Sequence, residues 1–240
     1  MLPDVQQEFL EGVAKTGKPM VVVLLNGSAL AVNWAEQNAK AILDAWYPGQ
    51  AGGQAIAETL SGKNDPAGRL PVTFYTGIDQ LPPFEDYSMA NRTYRYFNGK
   101  PLFAFGDGLS YTTFTYSAVK LSSERLQAGS TLTVEADVQN IGAVAGGEVA
   151  ELYLRPPQTD VSPKLALAGF ERVHLEPGAS KHITFHLDPR TLSQVDDKGV
   201  RAVVRVTYQI CRGGSQPEGD AAQGVRTKDF TIVGTQPIPR

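Results

Sequence analysis

The chain has 240 residues, which is enough for two domains of ordinary size and at least one sizeable hydrophobic core. Charged residues make up 20% of the sequence and the formal net charge is -3, which argues against a basic surface for nucleic acid. No apolar run reaches the length of about 20 residues that spans a bilayer. We therefore expect neither a nucleic acid nor a membrane as partner. The single cysteine and the absence of a recognisable signal peptide leave the compartment open.

The first helix is predicted near the N-terminus. Asp4 can cap it, Val5, Phe9 and Val13 recur at helical spacing, and Gly17 ends it. This pattern predicts a helix whose apolar stripe contains these three residues.

Strand and helix patterns then alternate. The apolar run Met20–Leu25 predicts a strand covered on both faces, and Ala41–Tyr47 predicts a second strand. A helix is expected over Gly52–Leu60 and a third strand over Leu70–Phe74. Residues 1–77 are thus predicted to form an α/β fold with a mainly parallel sheet.

A sheet of about three strands would leave the apolar run Met20–Leu25 at an open edge. Such edges pair with other chains unless they are covered. We therefore expect the sheet to continue in residues that precede Met1, and the isolated chain to self-associate through this edge.

Residues 78–114 form an aromatic-rich connecting segment. Glu85 and Asp86 are its carboxylates placed where a ligand could approach, although an ion pair with Arg92 or Arg95 is the favoured interpretation. The aromatic residues that could stack on sugar rings, or pack between domains, are Phe84, Tyr87, Tyr94, Tyr96 and Phe97. Packing is the favoured interpretation.

From residue 115 onward, apolar and polar residues alternate with a period of two. The alternation recurs in Leu132–Val138, Ala150–Leu154 and Ile183–Leu187, and a further strand is expected over Val203–Cys211. About seven short strands over residues 115–234 predict a β-sandwich, followed by a frayed tail at residues 235–240.

No metal or cofactor site is expected. His182 and His186 share one face of a strand, but four residues along a strand separate them by about 13 Å. Both are interpreted as solvated surface residues. Cys211 is interpreted as a small buried hydrophobic residue.

Four ordered motifs resemble β-glucosidases and β-xylosidases of glycoside hydrolase family 3. They are Trp46–Gly53, Asn64–Phe74, Arg92–Phe97 and Phe105–Phe114. The segments Glu151–Leu154, Leu167–Val173 and Leu187–Arg190 are similar to the fibronectin type III-like domain of such enzymes. Ala104 and Asp107 depart from the usual motif, in which proline and an aromatic residue or histidine are frequent at these two positions.

The resemblance implies a parent enzyme with an N-terminal barrel, an α/β sandwich and a fibronectin-like domain, secreted or periplasmic. The family's nucleophilic Asp lies on the barrel and its acid/base Glu lies upstream of the segment matched here. No residue of this chain matches either, so the resemblance implies that the chain alone is inactive, because retaining hydrolysis needs both carboxylates. Asp86, Tyr87, Arg92 and Tyr94 are the candidates for the rim of the substrate site.

Three functions remain open at this point. The first is a non-catalytic C-terminal portion of a retaining, exo-acting β-glucosidase or β-xylosidase, which meets its β-linked oligosaccharide only together with the barrel domain. The second is a free-standing carbohydrate-binding or structural accessory module. The third is one half of a split enzyme whose partner chain supplies the barrel.

Overall fold

A computed structural model of the chain describes residues 1–157, 162–196, 198–217 and 225–239. The chain divides into two compact units. The first unit contains Met1–Asn64 and Leu70–Phe105, and the second contains Asp65–Arg69 and Gly106–Arg240. The short segment Asp65–Arg69 therefore belongs to the second unit, although the residues on either side of it belong to the first.

The first unit is an α/β structure, as predicted. Its elements are α1 (Asp4–Ala14), β1 (Val21–Leu24), α2 (Asn33–Asn38), β2 (Ala41–Asp44), α3 (Gly52–Leu60), a 3-10 turn (Ile78–Gln80) and α4 (Thr93–Tyr96). Strands β1 and β2 pair in parallel, with Val21 opposite Ala41. Helix α3 has the predicted bounds.

The core of the first unit lies on one face of β1. Its buried members are Met20, Val22, Leu24, Val32 and Ala35. Val21 points the other way and keeps 46% of its surface exposed, so the prediction that both faces of this strand are covered is wrong. Helical residues such as Leu10 and Trp34 pack against the core face, which leaves the opposite face open within the described residues.

Helix α1 packs on the core through a stripe that shares only Val13 with the predicted one. Leu10, Val13 and Ala14 pack against the core, whereas Val5 and Phe9 are exposed. The N-cap is Pro3 rather than Asp4, and the Pro3 carbonyl accepts the first amide bonds of the helix. Only packing decides which side of a short amphipathic helix faces a core, and this information is absent from the spacing alone.

Two further predictions for the first unit are wrong. Helix α2, between the two strands, was not predicted. The predicted strand Leu70–Phe74 is reduced to an isolated antiparallel bridge between Phe74 and Phe103. Pro71 has no N–H to donate to a ladder, which explains why a regular strand does not form.

The second unit is the predicted β-structure. Its strands are β3 (Phe114–Tyr116), β4 (Lys120–Leu121), β5 (Arg125–Gln127), β6 (Leu132–Asn140), β7 (Gly146–Arg155), β8 (Ala166–Leu175), β9 (Ser180–Leu187), β10 (Gln194–Val195), β11 (Arg201–Val203), β12 (Thr207–Gly213), β13 (Arg226–Val233) and β14 (Gln236–Pro237). One sheet has the order β5-β13-β12-β7-β8. In a second sheet β6 pairs with β3, β4 and β9, and β10, β11 and β14 form a third.

The period-two alternation correctly predicted the buried face of β6, whereas β7 is buried on both faces and Phe185 of β9 is only partly buried. Leu132, Val134, Ala136 and Val138 of β6 are all buried. The predicted strand Val203–Cys211 is divided, because β11 pairs with β10 and β14 whereas β12 joins β13 and β7. Cys211 is buried, as expected.

The C-terminal tail was expected to be frayed, and this is wrong for two of its residues. Gln236 and Pro237 form β14, which pairs with Val203 and Ala202 of β11. The main chain of Ile238 also donates a hydrogen bond to the carbonyl of Arg201, at 2.9 Å.

Candidate functional site

The predicted rim residues lie on a turn that polar contacts hold closed. The Asp86 amide donates to the Pro83 carbonyl at 3.0 Å. Arg92 Nη2 donates to the carbonyls of both Pro83 and Asp86, at 2.9 and 2.8 Å. Arg92 thus binds the main chain of the turn, in place of the ion pair with Glu85 or Asp86 that the sequence suggested.

The Asp86 carboxylate is itself fixed by the residues that follow it. Its Oδ1 accepts a hydrogen bond from the Ser88 amide at 2.8 Å. Hydrogen bonding from Ser88 holds the pKa of Asp86 below its ordinary value, and the charge of Arg92 adds to this effect. Asp86 is therefore a partly exposed, ionised hydrogen-bond acceptor at neutral pH.

The base of the turn contains two residues with unusual backbone angles. Asn91 and Thr93 have φ values of 54° and 56°, which side chains other than glycine rarely adopt. The Asn91 side chain donates to the Gln80 carbonyl and accepts from the Asn98 amide. The Thr93 amide donates to the Tyr75 hydroxyl at 2.8 Å. These hydrogen bonds stabilise backbone conformations that would otherwise be unfavourable in free energy.

The four predicted rim residues differ in exposure and in contacts. Tyr87 keeps 88% of its surface accessible, and Asp86 is partly exposed. Arg92 is partly buried beneath the turn, and Tyr94 stacks on Phe105 with ring centroids 4.2 Å apart. The structure therefore presents Tyr87 to solvent, with Asp86 partly accessible beside it, and uses Arg92 and Tyr94 to support the loop.

The other aromatic residues of this segment also differ in their surroundings. Phe97 is buried and meets Tyr75 edge to face at 5.0 Å, and the guanidinium of Arg95 lies over the Tyr96 ring. Phe84 is 87% exposed, so its ring makes few packing contacts. The expectation of packing thus holds for Tyr94 and Phe97 but not for Phe84 and Tyr87.

A second polar group lies at the carboxyl ends of the two parallel strands and was not identified from the sequence. Asn26 follows β1 and Asp44 ends β2, and Asn26 Nδ2 lies 3.5 Å from Asp44 Oδ2. Asp44 Oδ1 accepts the Trp46 amide at 3.0 Å. Burial raises the pKa of Asp44, against the opposite effect of these two hydrogen bonds. The signal that could have found it is a polar residue following each of two adjacent parallel strands.

Aromatic contacts connect this strand end with the loop. Trp46 meets Phe74 edge to face at 6.2 Å, and Phe74 meets Phe103 at 6.0 Å. Tyr75, the next residue after Phe74, holds the Thr93 amide. Ring contacts thus run from Trp46 to Phe103, while the hydroxyl group of Tyr75 supports the base of the turn separately.

The segment Asp65–Arg69 of the second motif makes structural contacts within the second unit, to which it belongs. Asp65 Oδ1 accepts the Ser110 hydroxyl at 2.8 Å and the Tyr111 amide at 2.7 Å, and Oδ2 accepts the Gly147 amide at 3.0 Å. A Cβ atom at Gly147 would lie 2.6 Å from the Ala67 Cβ. The close packing of Ala67 against β7 therefore requires glycine at position 147.

Arg69 of the same motif forms a buried ion pair. Arg69 Nη2 lies 2.8 Å from Glu148 Oε2, with side-chain exposures of 8% and 4%, and Arg69 Nε donates to the Gly214 carbonyl. Tyr116 donates its hydroxyl proton to Glu148 Oε1 at 2.8 Å. Burial nevertheless raises the pKa of Glu148, which shows that desolvation outweighs its partners.

The buried group extends to Arg212, whose guanidinium lies 4.4 Å from the centroid of the Tyr116 ring. Its Nη2 donates to the Ser117 carbonyl. Burial lowers the pKa of Arg212 to about 10. These charges lie within the β-structure, where no saccharide can approach them.

The two histidines are surface residues, as predicted. His182 Nδ1 lies 2.8 Å from Asp137 Oδ1, and His186 Nδ1 lies 3.2 Å from Thr133 Oγ1. Across the described ranges, no group of three or more His, Cys, Asp or Glu side chains is arranged to hold a metal ion. None of the described helices combines the length and the hydrophobicity needed to cross a membrane.

Two family descriptions match the chain in the order that the fold suggests. Residues 1–111 match the glycosyl hydrolase family 3 C-terminal domain, and residues 148–216 match a fibronectin type III-like domain. The class is thus an α/β domain joined to a fibronectin type III-like domain.

Curated relatives agree with this assignment. A xylan 1,4-β-xylosidase of Xylanibacter ruminicola is 43% identical over 220 residues, which are 91% of this chain and 25% of that protein. A periplasmic β-glucosidase of Salmonella typhimurium is 39% identical over 205 residues, covering 80% of the chain and 27% of the relative. Among solved structures, β-glucosidase 3B from Thermotoga neapolitana, in complex with α-D-glucose, superposes with a TM-score of 0.87 at 27% identity, over 100% of this chain and 35% of that one.

The chain belongs to glycosyl hydrolase family 3 and corresponds to the C-terminal region of its β-glucosidases and β-xylosidases. It spans about a quarter to a third of the length of the curated relatives that it matches.

Proposed function

We propose that the chain acts as the non-catalytic C-terminal region of a retaining, exo-acting β-glycosidase that releases terminal glucose or xylose from β-linked saccharides. The observation that carries the proposal is the similarity to glycosidases over most of the chain. Proteins named β-xylosidase or β-glucosidase align with 80% to 95% of it at 37% to 43% identity. We propose Asp86 and Tyr87 as residues at the rim of the substrate site, with Arg92 and Tyr94 supporting them.

The environments of the carboxyl groups support a non-catalytic role. A retaining mechanism needs a protonated acid and an ionised nucleophile about 5 to 5.5 Å apart. Burial raises the pKa of Glu148 and Glu151, but both are enclosed in the second unit, bonded to Tyr116 and Tyr153 respectively. Asp86 is accessible, but its lowered pKa makes it a poor acid.

Asp44 is another described carboxyl group whose pKa burial raises. The causes of its shift are burial and two hydrogen bonds from amide groups, with no second carboxylate among them. A nucleophile about 5 Å away would have raised this pKa further. Among the described residues, Asp44 therefore lacks the partner that a retaining pair requires.

The test compares the chain alone with a chimera in which it replaces the C-terminal region of an active relative. The 39% identical Salmonella β-glucosidase is a suitable host. We expect the chain alone to leave chromogenic β-glucosides and β-xylosides intact and the chimera to hydrolyse one of them. The host's N-terminal portion without this chain is the control.

Hydrolysis by the chain alone would contradict the proposal, and Glu85 and Asp86 would then be the first residues to replace. Retention of the chain alone on insoluble glucan or xylan would instead support an accessory binding module.

A further inference from the structure

The turn at residues 83–88, called the aromatic turn below, presents two aromatic rings to solvent. Phe84 and Tyr87 are 87% and 88% exposed. Aromatic side chains usually bury about 150 to 250 Å² each and are a main source of core stability. Two almost fully exposed rings within four residues therefore contribute little to folding, and their position needs another explanation.

The backbone beneath these rings is held in place before any ligand arrives. Arg92 donates to the carbonyls at both ends of the Pro83–Asp86 turn, and Ser88 donates to the Asp86 carboxylate. Below them, the Tyr75 hydroxyl holds the Thr93 amide. A surface fixed in this way loses little conformational entropy when it binds, which favours affinity.

The polar groups of the aromatic turn select the chemistry of a ligand. Glu85 is exposed and Asp86 is partly exposed beside the rings, and the lowered pKa of Asp86 keeps this carboxylate ionised. The Nη2 group of Arg92 is engaged with carbonyl oxygens. The turn therefore offers apolar ring faces and hydrogen-bond acceptors, which suit a neutral ligand with hydroxyl donors and disfavour an anion.

We infer that Phe84 and Tyr87 form a platform for the leaving-group sugars of a β-linked oligosaccharide, with Arg92 as the positioning residue. This inference rests on the proposed function. A sugar ring has the required combination of an apolar C–H face and hydroxyl donors. The terminal sugar of an exo-acting enzyme must be enclosed for cleavage, whereas rings exposed by nearly 90% contact one side of a ligand only. Such an open surface suits the sugars that extend from the cleavage site.

The test uses the chimera and two substrates with the same terminal sugar. One is the β-glycosyl fluoride, whose leaving group contains no sugar, and the other is the β-linked tetrasaccharide. We expect Tyr87→Ala and Phe84→Ala each to lower kcat/KM for the tetrasaccharide by about tenfold, through KM, and to leave the fluoride unchanged. Phe170→Ala, which removes an exposed ring from β8 of the second unit, is the matched control and should change neither value.

The role of Arg92 is separable from general stability. Arg92→Ala should reproduce the selective loss on the tetrasaccharide, and Arg92→Lys should restore part of it because an ammonium group can donate to the same carbonyls. Equal losses on both substrates would show a merely structural role for Arg92. Unchanged kinetics in both ring variants would overturn the platform.

If the proposed function is wrong, the chimera will be inactive on both substrates. This result differs from the selective loss on the tetrasaccharide that the platform predicts. In that case the chain itself is titrated with cellotetraose and xylotetraose and followed by NMR. Shifts of the Phe84 and Tyr87 ring signals support the platform, and their absence overturns it. Protection of Tyr87 from nitration in the sugar-free chimera would assign the turn to domain packing and also overturn it.

Discussion

Buried charges in the second unit act as structural residues, although they resemble catalytic groups in type. Arg69 and Glu148 face each other at 2.8 Å with almost no exposure, and Tyr116 supplies the second hydrogen bond of Glu148. Removing one member of such a pair leaves an uncompensated charge, which typically costs about 3 to 5 kcal/mol. The raised pKa of Glu148 therefore reflects its burial beside structural partners.

His182 gives a pH-dependent prediction at the scale of single residues. Hydrogen bonding to Asp137 raises the pKa of His182, with Glu135 adding to the effect from the same neighbouring strand. The folded chain thus binds this proton more tightly than the unfolded chain does. The contribution to stability is complete below the ordinary pKa of about 6.5 and is lost as the pH rises through the folded-state value.

Urea unfolding at several pH values between about 6 and 8 measures this contribution. We expect the free energy of unfolding to fall over this range by more in the wild type than in His182→Gln. The control is His186→Gln on the same strand, where the ring contacts a hydroxyl group instead of a carboxylate. Parallel profiles for the wild type and His182→Gln would contradict the prediction.

At the scale of elements, the segment Asp65–Arg69 is expected to be essential for the second unit. Its Asp65 carboxylate accepts bonds from Ser110, Tyr111 and Gly147, two of them from backbone amides. Asp65→Ala removes all three hydrogen bonds at once. We expect it to lower the free energy of unfolding by about 2 to 4 kcal/mol, since hydrogen bonds to charged groups contribute about 1.5 to 3 kcal/mol each and do not add fully.

The measurement is again urea unfolding, with Asp229→Ala as control. Asp229 is an exposed carboxylate on β13 that accepts a hydrogen bond from Gln209, and its loss should change stability by less than about 0.5 kcal/mol. A similar small change for Asp65→Ala would show that the segment is dispensable.

The sequence predicted those elements whose pattern depends on local periodicity. Leu132–Val138 alternates because β6 has one face in the core, and the residues themselves carry this information. The stripe of α1 and the open face of β1 could not be predicted, because they depend on which helices pack where. The strand predicted at Leu70–Phe74 is limited to a bridge because Pro71 lacks a donor.

The candidate site was only partly predictable for the same reason. The exposure of Tyr87 contradicts the packing that the sequence favoured, because the composition of a segment does not show which of its aromatic rings meet a partner. The role of Arg92 depends on its reach across the turn to the Pro83 carbonyl, nine residues earlier. Asn26 and Asp44 lie eighteen residues apart and meet only because β1 and β2 pair in parallel. The resemblance of the motifs identified the family, but it did not predict which atoms these side chains contact.

For the whole molecule, the distribution of exposed apolar residues is uneven. The large apolar residues exposed in the first unit are Met1, Val5, Phe9, Val21, Leu25, Tyr47, Leu60, Val72, Ile78, Phe84, Tyr87 and Met89. Fewer are exposed among the described residues of the larger second unit. An excess of exposed apolar side chains in one unit is typical of a surface that another chain or domain contacts.

This distribution makes self-association of the isolated chain the expected outcome. Strand β1 pairs with β2 alone among the described strands, and its Val21 side chain is exposed beside an unpaired strand edge. Unpaired apolar edges add strands from other chains, and a charge on the edge opposes this.

Sedimentation velocity should show an apparent mass that rises with concentration for the wild type and less so for Val21→Lys. Phe170→Lys in the second unit is the control and should behave as the wild type. If association reflects surface that the rest of a family 3 enzyme covers, the chimera should be free of it. If the isolated chain is a monomer at every concentration, the open edge of β1 does not cause self-association and the prediction is wrong.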